Sequence, residues 1–179
     1  RNHYAQIEQN WRACVQKEYI VLLPGDFSWA MHLEETKYDF AFLHALPGKK
    51  ILVRGNHDYW WQSLKKMRSF LPPNTEILQN NCICTKQWAI CGTRGWLNPE
   101  NKSFLSEDLH IYKRELQRLE LSLQEGQKSG RPILCMLHYP PFGDRGEESG
   151  FVQLLLQYGV KKCIYGHFHG PGELASPQN

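Results

Sequence analysis

The sequence predicts an α/β domain of layered architecture, and three observations point there. Short runs dense in apolar and β-branched residues alternate, over most of the chain, with longer segments whose apolar residues recur every three to four positions. The four most apolar runs each lead into a Gly- or Pro-containing stretch, or directly into a side chain, that supplies Asp, Asn or His. The chain has 179 residues, 41% of them hydrophobic. A chain of that length buries roughly 70% of the surface its unfolded form exposes, enough for a core of its own.

Taken in order, residues 4–17 mix polar and apolar side chains at helical spacing and predict the first helix. Tyr19-Ile20-Val21-Leu22-Leu23 reads as a central strand buried on both faces, and residues 29–46 as a second helix. Lys50-Ile51-Leu52-Val53 is another buried strand, followed by a helix over 59–70. Strand candidates cover 77–85, turned at Gln79-Asn80-Asn81, and 88–92. Residues 106–124 give the clearest helix: Leu109, Tyr112, Leu116, Leu119 and Leu123 form one apolar stripe, with Lys113, Arg114, Glu115, Arg118 and Glu120 expected in water and Gly126 offering a stop. Ile133-Leu134-Cys135-Met136-Leu137 and Lys162-Cys163-Ile164-Tyr165 are again strands, separated by a Pro- and Gly-rich loop over 139–150 and a helix over 151–158. The tail after Gly170 has no periodic signal.

Composition excludes several classes of function. Twenty-one basic residues against eighteen acidic ones leave a net charge of +3 with no long block of like charge, so nothing marks an electrostatic nucleic-acid or membrane binder. The longest apolar stretch, Tyr19–Pro24, falls far short of the ~20 residues of a membrane span. The six cysteines, at 14, 82, 84, 91, 135 and 163, include no CxxC pair and no dense framework. They read as reduced, structural thiols, which suits an intracellular, cytoplasmic protein. Cys82, Cys84 and Cys91 do not offer the four-ligand spacing of a structural zinc.

Chemistry is expected where the four buried strands stop. The first is followed by Pro24-Gly25-Asp26, the second by Arg54-Gly55-Asn56-His57-Asp58, the third by His138-Tyr139-Pro140-Pro141 and the fourth by Gly166-His167-Phe168-His169. In an open α/β sheet, ligands bind in the crevice outside the carboxyl ends of the strands, so these segments predict one site. Carboxylate, amide oxygen and imidazole without thiolate suit Mn, Fe, Zn, Co or Ni. Two such ions can share a bridging carboxylate and clamp the attacking and leaving oxygens of a displacement at phosphorus. His57 stands between a potential ligand and an acid, a suitable place for a proton donor to a leaving alkoxide. Trp60, Trp61, Tyr139 and Phe142 can line a cleft or fill a core. Arg54 and Arg94 can bind a phosphate or be paired within the protein.

These blocks, in this order, closely resemble the motifs of the calcineurin-like metallophosphoesterases, and the resemblance covers most of the chain. Residues 22–30, 92–96, 111–123 and 137–142 also resemble a bacterial-type subgroup of uncharacterised phosphoesterases, which does not fix a substrate. The resemblance implies a layered β-sandwich core flanked by helices, a centre of two divalent transition-metal ions, and a metal-bound hydroxide that attacks phosphate mono- or diesters. It implies Asp26 as the carboxylate bridging both ions, Asn56, His138 and His167 as ligands of the second, and His169 as a ligand of the first. His57 would be the general acid, or a stabiliser of the phosphate, with Asp58 orienting it.

One departure stands beside these agreements. The family opens with a strand ending Asp-x-His that completes the first metal site, and nothing upstream of Asp26 fits that pattern. His3 is the nearest candidate, yet it lacks a preceding strand and opens an expected helix. The chain begins Arg1-Asn2-His3-Tyr4 without an initiator Met, and the expectation is one metallophosphoesterase domain, 1–179, incomplete at both ends and lacking the first strand. Two functions follow: a metal-dependent phosphoesterase acting on a small phosphate ester, or a binding or scaffold module of the same fold with an incomplete metal site. A nuclease would use the same metals, but the near-neutral charge gives a nucleic-acid partner little support. No membrane partner is expected.

Overall fold

The computed structural model describes residues 3–143 and 145–168. It is mixed α/β, with helices accompanying two sheets, and the chain divides into two compact units. The first unit takes the chain up to Leu23, Phe27–Leu52 and His57–Ile77. The second takes Pro24–Asp26, Val53–Asn56 and the chain from Leu78 onward.

In the first unit, helix α1 (His3–Cys14) leads to strand β1 (Ile20–Leu23). A 3₁₀ turn over Leu33–Thr36 runs into α2 (Lys37–Ala45), then β2 (Lys49–Val53), α3 (Leu64–Phe70) and β3 (Thr75–Leu78). The sheet is ordered β1-β2-β3, with β1 parallel to β2 in a register from Ile20 opposite Lys49 to Leu23 opposite Leu52. The helices expected over 29–46 and 59–70 both begin later than the sequence suggests, for local reasons. The Glu35 carboxylate accepts the Met31 and His32 N–H groups at 2.9 and 3.1 Å, holding those residues out of a helix. Ser63 caps α3 by accepting the Lys66 N–H. The core is Leu33, Phe40, Leu43, Leu52, Trp60, Trp61, Met67 and Ile77. Trp60 and Trp61 are therefore core residues, and Phe40 meets Trp60 edge-on with ring centroids 5.4 Å apart.

In the second unit, β4 (Cys82–Cys84) and β5 (Ala89–Thr93) pair antiparallel, and the long helix α4 (Asp108–Lys128) returns the chain to β6 (Ile133–Leu137). Helix α5 (Gly150–Gln157) leads to β7 (Lys162–Ile164), completing a sheet ordered β4-β5-β6-β7 whose last three strands are parallel. Its core gathers Tyr112, Leu119 and Leu123 of α4, Ala89, Cys91, Ile133, Cys135 and Leu137 of the sheet, and Phe151 and Leu155 of α5. Two expectations for α4 are corrected. Glu115 is fully buried, because Thr93 Oγ1 donates to its carboxylate at 2.5 Å and Arg118 and Arg94 approach it at 2.6 and 3.5 Å. Gly126 lies inside the helix, where a Cβ would collide with the Cys91 sulfur, so its bareness serves close helix-on-sheet packing.

The expectation of four strands buried on both faces holds for β2 and β6, which lie inside their sheets. It fails for β1 and β7, which end their sheets and keep partly exposed side chains. Among the described residues no helix is long and apolar enough to cross a membrane.

Candidate metal centre

Four segments of the second unit meet around one imidazole. Pro24–Asp26 follows β1 in the chain, Val53–Asn56 includes the last residue of β2, His138 follows β6, and Gly166-His167 comes just after β7. His138 is the hub, with its side chain only 1% exposed. Its backbone N–H donates to the Arg94 carbonyl at 3.0 Å, fixing the residue at the end of β5, and its carbonyl accepts the Gly166 N–H at 3.1 Å. Its ring Nδ1–H donates to the Pro24 carbonyl at 2.8 Å. A carbonyl can only accept, so in the neutral ring this bond sets the tautomer and leaves Nε2 presenting its lone pair. That Nε2 lies 2.6 Å from Asn56 Oδ1, 3.2 Å from His167 Nδ1 and 3.6 Å from Asp26 Oδ2. His167 Nδ1 is 3.0 Å from the same Asn56 oxygen.

The backbone around the cluster is built for close approach. Asp26 and His167 are the two non-glycine residues with positive φ among the described residues, at 56° and 75°. Left-handed backbone at non-glycine residues costs on the order of 1–3 kcal/mol and tends to gather at functional sites. Gly25 has φ 97°, and a Cβ there would strike the His138 ring and sit 2.8 Å from the Gly55 Cα. A Cβ on Gly55 would strike the Asp26 carboxylate. The glycines before Asp26 and Asn56 thus leave room for each other's partners.

This donor set fits a divalent cation. Ligands held at ~2.0–2.2 Å from one first-row ion stand about 3–3.5 Å from each other; the 3.0 and 3.2 Å separations lie in that range, and those of 2.6 and 3.6 Å lie on either side of it. Carboxylate, amide oxygen and two imidazole nitrogens are also the donors such an ion takes. Among the described residues no group of three or more His, Cys, Asp or Glu side chains could hold a metal ion by itself, and the cluster counts the Asn56 amide among its donors. His169 lies outside the described residues, and His3 opens α1 as an exposed residue.

Other expected residues take the following places. His57 and Asp58 belong to the first unit. The His57 ring stacks on Trp29, with centroids 4.5 Å apart and planes at 15°. Asp58 is fully buried, and its Oδ1 accepts the N–H groups of Phe27 and Ser28 at 2.9 and 3.2 Å and the Trp60 indole N–H at 3.1 Å. It fixes the backbone just after Asp26. In the second unit the Tyr139 ring packs 4.3 Å from the His167 ring. Arg94 stacks on Trp96 at 4.3 Å and pairs with Glu115. Burial pulls the Arg94 guanidinium below its usual value, and Glu115 opposes that shift. Sequence reasoning missed the Pro24 carbonyl, because a backbone acceptor has no residue-type signal, and it missed Trp29, which lay within a stretch read as helix.

The family model for calcineurin-like phosphoesterase matches residues 2–171, nearly the whole chain, and the chain belongs to that family. Its members are in general hydrolytic phosphoesterases and typically bind divalent metals. Comparison with curated proteins gives no match. Among solved structures, the chain is similar to AQ665 of Aquifex aeolicus, a protein of unknown function, at 19% identity and a TM-score of 0.45, over 92% of this chain and 75% of that one. A second crystal structure is similar at 16% identity and a TM-score of 0.46, over 79% of this chain and 60% of that one.

Proposed function

We propose that this chain hydrolyses phosphate mono- or diesters of small molecules with two divalent transition-metal ions, Mn, Fe, Zn, Co or Ni. The observation that carries this reading is the convergence of Asp26, Asn56, His138 and His167 within 2.6–3.6 Å contacts, in a chain of the phosphoesterase family. Asp26, Asn56, His138, His167 and His169 would hold the ions, with Asp26 as the carboxylate shared between them. Divalent ions bound there supply Lewis acidity toward the phosphoryl oxygens and make a nucleophile from water.

The protein's own groups do the rest. The Pro24 carbonyl keeps the His138 ring turned so that Nε2 faces the donors. His57 gives a proton to the leaving alkoxide, and Trp29, stacked on its ring, holds the imidazole plane. The net charge of +3 favours a small ester over a nucleic acid, and the unpaired cysteines favour the cytoplasm.

The test is hydrolysis of an aryl phosphate monoester and diester with Mn²⁺ supplied. Asp26→Ala should abolish turnover, and His57→Ala should lower kcat by about 10²–10⁴-fold while leaving metal binding intact, as expected for loss of a proton donor. Absence of wild-type turnover on both esters, or unchanged turnover in both variants, refutes the reading. Full turnover with fewer than two bound ions per chain refutes the dinuclear part alone.

A further inference from the structure

Four cysteines occupy one rung of the second unit's sheet. Cys82 of β4 stands opposite Cys91 of β5, Cys91 opposite Cys135 of β6, and Cys135 opposite Cys163 of β7. The sequence spreads them over 82 to 163 and gives no hint of this row. Cys84, two residues along β4 and so on the same face as Cys82, extends the row to the surface, and its sulfur is 3.9 Å from the Cys82 sulfur. Exposure falls along the row, from exposed Cys84 through half-buried Cys82 to buried Cys91 and Cys135.

The ladder between β4 and β5 fixes which pair can bond. Thr85 N–H donates to the Trp88 carbonyl at 2.8 Å, which makes Thr85 and Trp88 a hydrogen-bonded pair at the turn. Antiparallel pairs alternate in type, so Cys84 and Ala89 are non-hydrogen-bonded, Ile83 and Ile90 hydrogen-bonded, and Cys82 and Cys91 non-hydrogen-bonded. In such a pair the Cα atoms stand ~4.5 Å apart with side chains leaning together, within the ~4.4–6.8 Å span of disulfides. Cys82 and Cys84, by contrast, are neighbours on one extended strand, where the parallel Cβ vectors keep the Cβ atoms too far apart without backbone movement.

We propose that Cys82 and Cys91 form a reversible disulfide, with Cys84 as the thiol that admits the oxidant, so that this edge of the sheet is a redox modification site. The hydrogen bond from Cys82 pulls the Cys91 thiol below its ordinary value and pushes Cys82 up, which makes Cys91 the attacking sulfur of the pair. Farther along, the Cys135 thiol is pushed well up by its bond with Cys163 and by burial, so the inner rungs stay reduced.

With a low-molecular-weight disulfide such as oxidised glutathione, the chemistry balances. The Cys84 thiolate attacks that disulfide, releasing one glutathione thiol and leaving a mixed disulfide. Cys82, its sulfur 3.9 Å away, attacks the glutathione sulfur of that mixed disulfide, taking over the glutathione and returning Cys84 as a thiol. Cys91 then attacks the Cys82 sulfur, closing the Cys82–Cys91 bond and expelling the second glutathione. Two protein thiols lose two electrons and two protons, and one small disulfide becomes two thiols.

Trypsin cuts after Arg68, Lys86 and Arg94, which places Cys82 and Cys84 on one peptide and Cys91 on another. Whole protein treated with oxidised glutathione and digested without reductant should show peptide 69–86 linked to 87–94, short of two hydrogens, and the link should vanish on reduction. In Cys84→Ser, an exposed change, Cys82 is the one cysteine left on its peptide, and the link should still form, more slowly. Wild-type protein whose Cys84 carries glutathione without any linked peptide overturns the proposal. So does permanent loss of the link in Cys84→Ser, and formation there at the wild-type rate overturns the entry role of Cys84. The proposal does not depend on the metal centre.

Discussion

At the scale of single residues, the molecule repeatedly buries a polar group against specific partners, most of them backbone. His138 owes its orientation to the Pro24 carbonyl, and Asp58 owes its burial to two backbone N–H groups and an indole. Lys50 is the sharpest case away from the site: it is fully buried in β2, with its ammonium donating to the Leu46 carbonyl. Desolvation pulls that ammonium below the ordinary lysine value of 10.5. Because the folded value lies below the unfolded one, the unfolded chain binds more protons between the two, and stability rises with pH across that window. Relative to Lys50→Met, the wild-type urea midpoint should therefore climb as pH approaches 10.5. Parallel pH curves for the two proteins would refute this. The site's residue types were readable in the sequence because Asp26, Asn56, His138 and His167 each follow an apolar run by a few positions at most. The left-handed backbone of Asp26 and His167 was not, since a non-glycine residue adopts positive φ in only a few per cent of cases and the residue type does not mark which.

At the scale of elements, α4 shows how far an apolar stripe can be trusted. Tyr112, Leu119 and Leu123 face the core as their spacing demands, whereas Leu109 is 42% exposed and Glu115, Ser122 and Gly126 are buried. The polar members of the buried face are there because the sheet offers partners for them, and partners across space have no period in the sequence. Ser122 is the clamp: its hydroxyl donates to the Asn81 carbonyl at 2.6 Å and accepts the Gly92 N–H at 2.9 Å, tying α4 to the loop before β4 and to β5. Ser122→Ala strands a buried donor and acceptor together and should cost about 2 kcal/mol. It would be read as a lower urea midpoint with an unchanged slope, and a loss under a few tenths of a kcal/mol would show that the clamp is idle. The strand ends tell a similar story. β1 and β7 have the same apolar texture as β2 and β6, and only their position in the sheet order separates edge from centre.

At the scale of the whole molecule, alternation of strand and helix disclosed the fold class, because each texture reflects a local repeat that survives folding. The division into two interleaved units was not legible, since it is a property of which distant segments meet. If the cluster around His138 holds cations, the folded chain gains stability by mass action: about 2.7 kcal/mol at a hundredfold excess over Kd, or roughly 5–10 °C in Tm for a chain of this length. Mn²⁺ should raise the wild-type Tm by that amount, and Asn56→Ala should lose most of the shift. An equal shift in the two proteins would place the ions elsewhere. The interleaving also sets a timetable for synthesis. Every segment of the first unit has been made once Ile77 leaves the ribosome, while Pro24–Asp26 and Val53–Asn56, made equally early, belong to a unit that continues past β7. Asn56 must wait 82 residues for His138 and 111 for His167, so the nascent chain carries half of its donor cluster unclosed until those later segments have been made.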